Sequence, residues 1–256
     1  MSGIRKLMAL AMLILLVNAT SAAKREIAIT IDDLPFVGEG KNFHLEKIIS
    51  TLKAREVTVT GFVIAGNVRE NNWPVLRKFK AAGFGLGNHT LTHMNLNQVK
   101  TEAYVHEIEE ADKRLQPVLT EPKYFRYPYL ATGNGKKREE IQQVLTDNNY
   151  RTAPITIDSN DFVFNKILLT VPEKARRKHI EILKLAYLDF IWQQTLLAEE
   201  KSHYSRKDDQ AQILLIHANL LNAYLLPDII TLYQQNGFTF VSLEEALKTR
   251  EKHKKA

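Results

Sequence analysis

A chain of 256 residues, 45% of them hydrophobic, is long enough to bury one large core, and the absence of cysteine excludes a disulfide framework. The formal charge of +6 is carried by the two ends, Arg5 and Lys6 near the start and Lys248, Arg250, Lys252, Lys254 and Lys255, against Glu251, near the finish. Without them the acidic and basic residues balance and no aromatic residues interleave with a basic run, which excludes nucleic acid as the expected partner.

Residues 1–23 combine Arg5 and Lys6, an apolar stretch from Leu7 to Val17 and the small residues NATSAA, the pattern of a cleaved export signal. The apolar stretch falls short of the roughly 20 residues that a membrane span needs. No stable span is therefore expected after cleavage, an uncleaved anchor being the alternative. With no cysteine at the junction, no lipid is attached there. The expected location is periplasmic or secreted, and residues 24–247 form one domain followed by a solvated basic tail, 248–256.

Strand patterns follow in the order EIAITI (26–31), VTVTGFVIA (57–65), GFGLGN (83–88), KYFRYP (123–128), YRTAPITI (150–157), ILLIHA (213–218) and FTFVSL (238–243). Several are continuously apolar, as strands of a covered parallel sheet are. Helical patterns alternate with them. Trp73 to Ala82 has Pro74 in its first turn and Gly83 at its stop; Gln98 to Leu115 puts Tyr104, Ile108, Ala111 and Leu115 on one face; Tyr224 to Gln235 ends before Asn236 and Gly237. Strict alternation predicts an α/β fold, a partly open (β/α) barrel of about seven parallel strands whose chemistry gathers where strands end. Between the fifth and sixth strands, 163–212 is a long helical insertion. Its amphipathic stripe through Ile180, Leu183, Tyr187, Phe190, Ile191 and Leu197 suits a crossover helix packed on the barrel, with a lid as the alternative.

The polar residues obey the strand-end rule. Asp32 and Asp33 follow the first strand, His89 and His93 the third, Arg126 lies near the end of the fourth, Asp158 and Asp161 follow the fifth, and His217 closes the sixth. His89 and His93 are four apart, so on a helical turn both rings would face one ion. Two imidazoles with the carboxylate of Asp33, and one position left for water, make a recurrent layout for hydrolytic zinc.

TIDDLP (30–35), HTLTH (89–93), RYPY (126–129), DSNDF (158–162) and ILLIH (213–217) resemble, in order, the TFDDGP, H-[ST]-x-x-H, RxPY, DxxDW and LxxH motifs of the polysaccharide deacetylases of carbohydrate esterase family 4. The resemblance implies a divalent metal, zinc first with cobalt or nickel as alternatives, and removal of acetyl groups, N-acetyl before O-acetyl, from a glycan. It assigns Asp33, His89 and His93 to the metal, Asp32 to the general base, Arg126 to orienting that base, His217 to the general acid and Asp161 to holding it, with Asp158 as a rival for the last role. It also gives Leu215 to the acetyl methyl pocket and the backbone N–H of Tyr129 to the oxyanion.

The chemistry asks for the same residue types. An amide carbonyl is a poor electrophile, and a metal that polarises it and lowers the pKa of bound water to about 7 addresses both halves of the problem. A carboxylate then takes a proton from water, and a histidine with a carboxylate partner returns one to the departing amine. The chain departs from the family at Ile31, Leu34, Leu130 and Phe162, where Phe, Gly, Gly and Trp are usual. Phe162 is a sugar platform or a core residue. Two alternatives remain: a related barrel hydrolase of a small amide or cyclic ureide, and a non-catalytic glycan-binding module.

Overall fold

A computed structural model describes residues 24–36, 42–205, 207 and 210–252; the expected signal segment 1–23 lies outside the described residues. The central strand β1 (Glu26–Leu34) pairs in parallel with β2 (Val59–Val63) on one side and β7 (Gln212–His217) on the other. Outward from β2 come β3 (Gly85–Asn88), β4 (Tyr124–Phe125) and β5 (Arg151–Thr152); outside β7 lies β6 (Ile157–Asp158). A short β8 (Thr239–Phe240) pairs with the start of β1. All pairings are parallel, giving the half-barrel expected from the alternating pattern.

The stretch 150–157 is a correction to the sequence reading. It forms two strands, β5 and β6, on opposite edges of the sheet. Ala153 N–H bonds Phe125 O on one edge and Thr156 N–H bonds Ile213 O on the other, so Pro154 and Ile155 alone bridge the opening. Proline has no N–H to offer a ladder, and a break at that position is its physical consequence.

Helices α1 (Asn42–Ala54), α2 (Trp73–Ala81), α3 (Thr101–Leu115), α4 (Gly135–Asp147), α5 (Asp161–Leu169), α6 (Glu173–Tyr204), α7 (Leu220–Gln235) and α8 (Leu243–Lys252) complete the chain. Alternation along β1 separates two environments. Ile27, Ile29 and Ile31 face the outer helices, where Leu45, Ile48, Leu226 and Ile230 are buried with them, each such side chain contributing about 1.5–3 kcal/mol by its removal from water. Ala28 faces the barrel interior with Phe62, Ile213, Val241 and Leu247, so α8 stops one end of the barrel. Thr30 and Asp32 follow on the same side of β1 and lead toward the other end, where the polar residues gather.

Helix α6 is 32 residues long, about 48 Å at about 1.5 Å per residue, and buries Ile180, Tyr187, Ile191, Thr195 and Ala198 against α5 and α7. This is the packed crossover helix of the sequence reading. Helix α3 starts at Thr101, three residues after the expected Gln98, and two further bounds differ from expectation. Helix α7 starts at Leu220 because Asn219 caps it, its side chain accepting from Asn222 N–H at 2.9 Å, and the helix carries Pro227 inside. Helix α8 runs through the boundary drawn at 248, and Thr249 Oγ1 accepts from Ala211 N–H, so residues 248–250 belong to a packed helix and not to a free tail.

Candidate active site

The strand ends bring the predicted residues to one mouth. A groove of about 370 Å³ is lined by Asp32, Asp33, His89, His93, Tyr129, Phe162, Leu215 and His217, joined by Tyr127, Leu130, Asp158 and Asn160. Arg126 and Asp161 lie behind the groove wall, both buried.

Adjacent carboxylates point apart because β1 bulges. Its register with β2 shifts between Ile31 and Leu34, and Asp33 adopts φ 61°. Asp32 turns inward to Arg126, whose Nη1 donates to Asp32 Oδ2 at 3.3 Å, while Nη2 donates to Thr30 Oγ1 at 3.0 Å and Nε to Ala153 O at 2.7 Å. The guanidinium also lies over the Phe62 ring, 4.8 Å from its centroid. Asp32 Oδ1 is buried and has no hydrogen-bond partner.

The histidine pair is assembled otherwise than by a helical turn. Residues 89–93 form an irregular loop in which Thr90 and His93 both have φ 65°. Thr90 N–H bonds Asn88 Oδ1 at 2.7 Å and His93 N–H bonds Thr90 Oγ1 at 3.0 Å, local side-chain bonds that compete with helix formation. Gly66 N–H bonds Leu91 O at 2.7 Å, and a Cβ on Gly66 would lie 2.5 Å from that oxygen, so this approach requires glycine. Among the described residues eight non-glycine positions have positive φ, and six of them (Asp33, Thr90, His93, Tyr129, Leu130, Asn160) belong to this site or border it. Backbone strain is concentrated where the side chains must be aimed. Leu130, where the family has glycine, is one of them, at φ 55°.

Asp33 Oδ1 lies 3.4 Å from His89 Nε2 and 3.3 Å from His93 Nε2, and one ligand atom from each residue falls within 4.8 Å of the others. His89 Nδ1 donates to Arg126 O at 2.8 Å, so a metal-ligating ring would turn its Nε2 lone pair toward Asp33. Asp33 Oδ1 is buried without a hydrogen-bond partner. Acceptors facing one another across such a short gap are the donor set of a cation, and the residues fit a divalent metal. Burial pushes the Asp33 carboxyl up, but in the metal-free site the protonated rings override it, His89 first through a hydrogen bond and its charge, then His217 and His93, and hold it at about 2. Burial pushes His93 down, toward the neutral ring that ligates metal, against the pull of Asp33.

On the opposite wall His217 Nδ1 is 2.6 Å from Asp161 Oδ1, and its own N–H bonds Asp161 Oδ2 at 2.7 Å. Asp158 makes no such contact; its Oδ1 accepts from Asn160 N–H. Burial works against a charged His217, yet the Asp161 carboxylate and its hydrogen bond, then Asp33 and Asp32, raise it to about 10. Leu215 is buried in the groove wall. Tyr129, 66% exposed, lies 4.6 Å from the His93 ring, and Phe162, 52% exposed, meets the His217 ring edge-on at 6.2 Å, so the two aromatics flank the mouth. The sequence reading missed Asn219 and Asn222, which hold Asp161, and Thr30, which holds Arg126. A signal existed for the first two: asparagines two and five positions beyond the strand-ending His217.

A family model described as polysaccharide deacetylase matches residues 19–153, just over half of the 256-residue chain. The chain is similar to a chitin deacetylase of Colletotrichum lindemuthianum, 29% identical over 147 residues that are 55% of this chain and 54% of that protein. It is similar also to a peptidoglycan-N-acetylglucosamine deacetylase of Bacillus cereus, 29% identical over 152 residues, 56% of this chain and 50% of that one. The chain thus spans about half the length of the curated relatives it matches. Among solved structures, a CE4 family pseudoenzyme from Bacillus anthracis superposes with a TM-score of 0.63 at 18% identity, covering 88% of this chain and 66% of that one. The Bc1960 peptidoglycan N-acetylglucosamine deacetylase gives 0.61 at 21%, covering 88% and 89%. These two likenesses bear on the fold, and the sequence match, which takes in the first three motifs, bears on descent: the chain belongs to the polysaccharide deacetylase family.

Proposed function

We propose that this protein is an exported, metal-dependent hydrolase that removes acetyl groups, N-acetyl in the first instance, from an envelope or extracellular glycan. The observation that carries the reading is the orphaned oxygen of Asp33 between two imidazoles, with Asp32 and His217 on either side of it. Asp33, His89 and His93 would hold the cation, zinc first, with cobalt or nickel as alternatives. When bound, it would polarise the acetyl carbonyl and acidify a water.

The remaining chemistry belongs to the chain. Asp32 has one oxygen engaged by Arg126 and one buried and unengaged, which suits a base taking a proton from water within hydrogen-bond reach. His217 carries its proton into the groove on Nε2, because Nδ1–H is committed to Asp161, and delivers it to the departing amine nitrogen. Leu215 offers an apolar wall to the acetyl methyl, the backbone N–H of Tyr129 a donor to the oxyanion, and Phe162 a platform for a sugar ring. Similarity to a chitin deacetylase and a peptidoglycan-N-acetylglucosamine deacetylase supports an N-acetylglucosamine-containing substrate. Among the described residues no helix is long and apolar enough to cross a membrane.

The non-catalytic alternative needs a missing group, and Asp32 and His217 are both in place. An acetate-release assay over a panel of N- and O-acetylated glycans tests the reading, with Asp32→Asn as control. Acetate from N-acetylglucosamine oligomers, abolished by Asp32→Asn, is expected; release that survives Asp32→Asn overturns it.

A further inference from the structure

Behind His217 a buried polar chain runs to the long insertion helix. We propose that Tyr187 on α6 and Asn222 on α7 are positioning residues, which fix the Asp161 carboxylate and through it aim the His217 ring at the leaving nitrogen. The inference rests on the deacetylase reading above and gives the insertion helix a part in it.

Asp161 is fully buried, and its Oδ2 accepts from His217 N–H at 2.7 Å, from Asn219 Nδ2 at 2.8 Å and from Asn222 Nδ2. With that oxygen saturated, Oδ1 is left to His217 Nδ1. Carboxylate rotation would break several bonds at once, so the ring's orientation follows from the donors behind it.

The Asn222 amide could face Asp161 by either end. Tyr187 O–H donates to Asn222 Oδ1 at 2.8 Å, and Asn222 Nδ2 bonds both Asp161 Oδ2 and His217 O, the latter at 3.0 Å. Only this orientation pairs every donor with an acceptor; the flipped amide would aim its oxygen at a carboxylate and a carbonyl. The two acceptors thus fix which end of the amide faces them, Tyr187 anchors the other end, and the anchored amide holds the carboxylate that aims the acid. The tyrosine is itself fixed: it is buried, and its ring meets Phe164 of α5 at 5.1 Å. A second bond between the same helices, Thr195 Oγ1 with Tyr233 O–H at 2.8 Å, lies outside the chain and supplies a control.

A general acid matters to a leaving group that cannot depart as an anion. An amine from an N-acetyl sugar needs the proton, whereas the nitrophenolate of 4-nitrophenyl acetate does not. Loss of aim should therefore spare the aryl ester, and loosened packing should harm both substrates.

The test measures kcat and KM for an N-acetylglucosamine oligomer and for 4-nitrophenyl acetate in zinc-loaded wild type, Tyr187→Phe, Asn222→Ala and Thr195→Val. Tyr187→Phe is expected to lower kcat on the oligomer about tenfold, as loss of one hydrogen bond in a charged network does, with KM and the ester rate unchanged. Asn222→Ala should lower it further in the same pattern, and Thr195→Val should leave the ratio of the two rates as in wild type. Equal losses on both substrates, or no loss on the oligomer, overturn the proposal. A wild type inert toward oligomers sinks the deacetylase reading instead. In that event the downfield proton resonance of His217 Nδ1–H decides the positioning claim: it should move in Tyr187→Phe and Asn222→Ala and not in Thr195→Val, and an unmoved resonance overturns it.

Discussion

Arg126 Nη1 donates to Asp32 Oδ2 from inside the barrel at 3.3 Å, so the charge that steadies the proposed base reaches it through the core and not across the groove. Each nitrogen of the guanidinium is engaged, Nη2 by Thr30 Oγ1 and Nε by Ala153 O. Arg126→Met leaves Asp32 a buried charge without its partner, and breaking such a pair costs about 3–5 kcal/mol. Thermal melts should show that loss. Arg126→Lys keeps the charge but loses the fork, and acetate release should fall while more of the stability survives.

The pH dependence follows from His217. Its folded value is raised to about 10, above the ordinary value of 6.5. A raised cationic group stabilises the fold fully below its unfolded value, and that contribution fades as pH climbs through about 10. A cation at Asp33 offsets that carboxylate's share, so the metal-loaded value lies below the metal-free one. Asp161→Asn removes the largest raising influence and leaves burial, which lowers. The alkaline limb of the kcat profile should then move to lower pH, and a limb that stays in place contradicts the assignment of Asp161.

Gly66 touches no proposed ligand, yet it fixes the loop that carries two of them. In Gly66→Ala the new Cβ would meet Leu91 O at 2.5 Å, and the backbone between His89 and His93 must shift. Zinc affinity, measured by competition with a chromogenic chelator, should weaken about 10–100-fold, the range for residues that orient ligands without binding the metal.

Phe162 separates platform from core. It is half exposed at the groove mouth, so Phe162→Ala should leave the melting temperature near wild type. If the ring stacks on a sugar, KM for the oligomer should rise about three- to tenfold. An unchanged KM returns Phe162 to a packing role.

Much of the site was legible because strand ends in a parallel half-barrel converge, and the chemically demanding residues all sit at apolar-run termini. Periodicity also served the helices well, as Tyr104, Ile108, Ala111 and Leu115 on α3 are all buried. It failed where backbone conformation departs from regular structure. His89 and His93 have helical spacing but lie on a loop with two positive φ values, something that a spacing of four does not encode. The run YRTAPITI has strand composition throughout, and only Pro154 hints that its halves belong to opposite edges. The pair Asn219 and Asn222 reads as an ordinary helix start, and the first of them does cap α7, so its second task at Asp161 was hidden behind a sufficient local reason. Tyr187 reads as one residue of an amphipathic stripe, and nothing in the stripe marks the single hydroxyl that meets Asn222.

The central claim is that one cation, gripped by Asp33, His89 and His93, is required for hydrolysis. Stripping the protein with a chelator and titrating zinc back while following acetate release tests it most directly. Activity should vanish on stripping, return with zinc and saturate near about one equivalent, the stoichiometry of a single three-ligand site, with Asp33→Ala failing to recover. Acetate release that persists in the stripped protein, or a full recovery by Asp33→Ala, would contradict it.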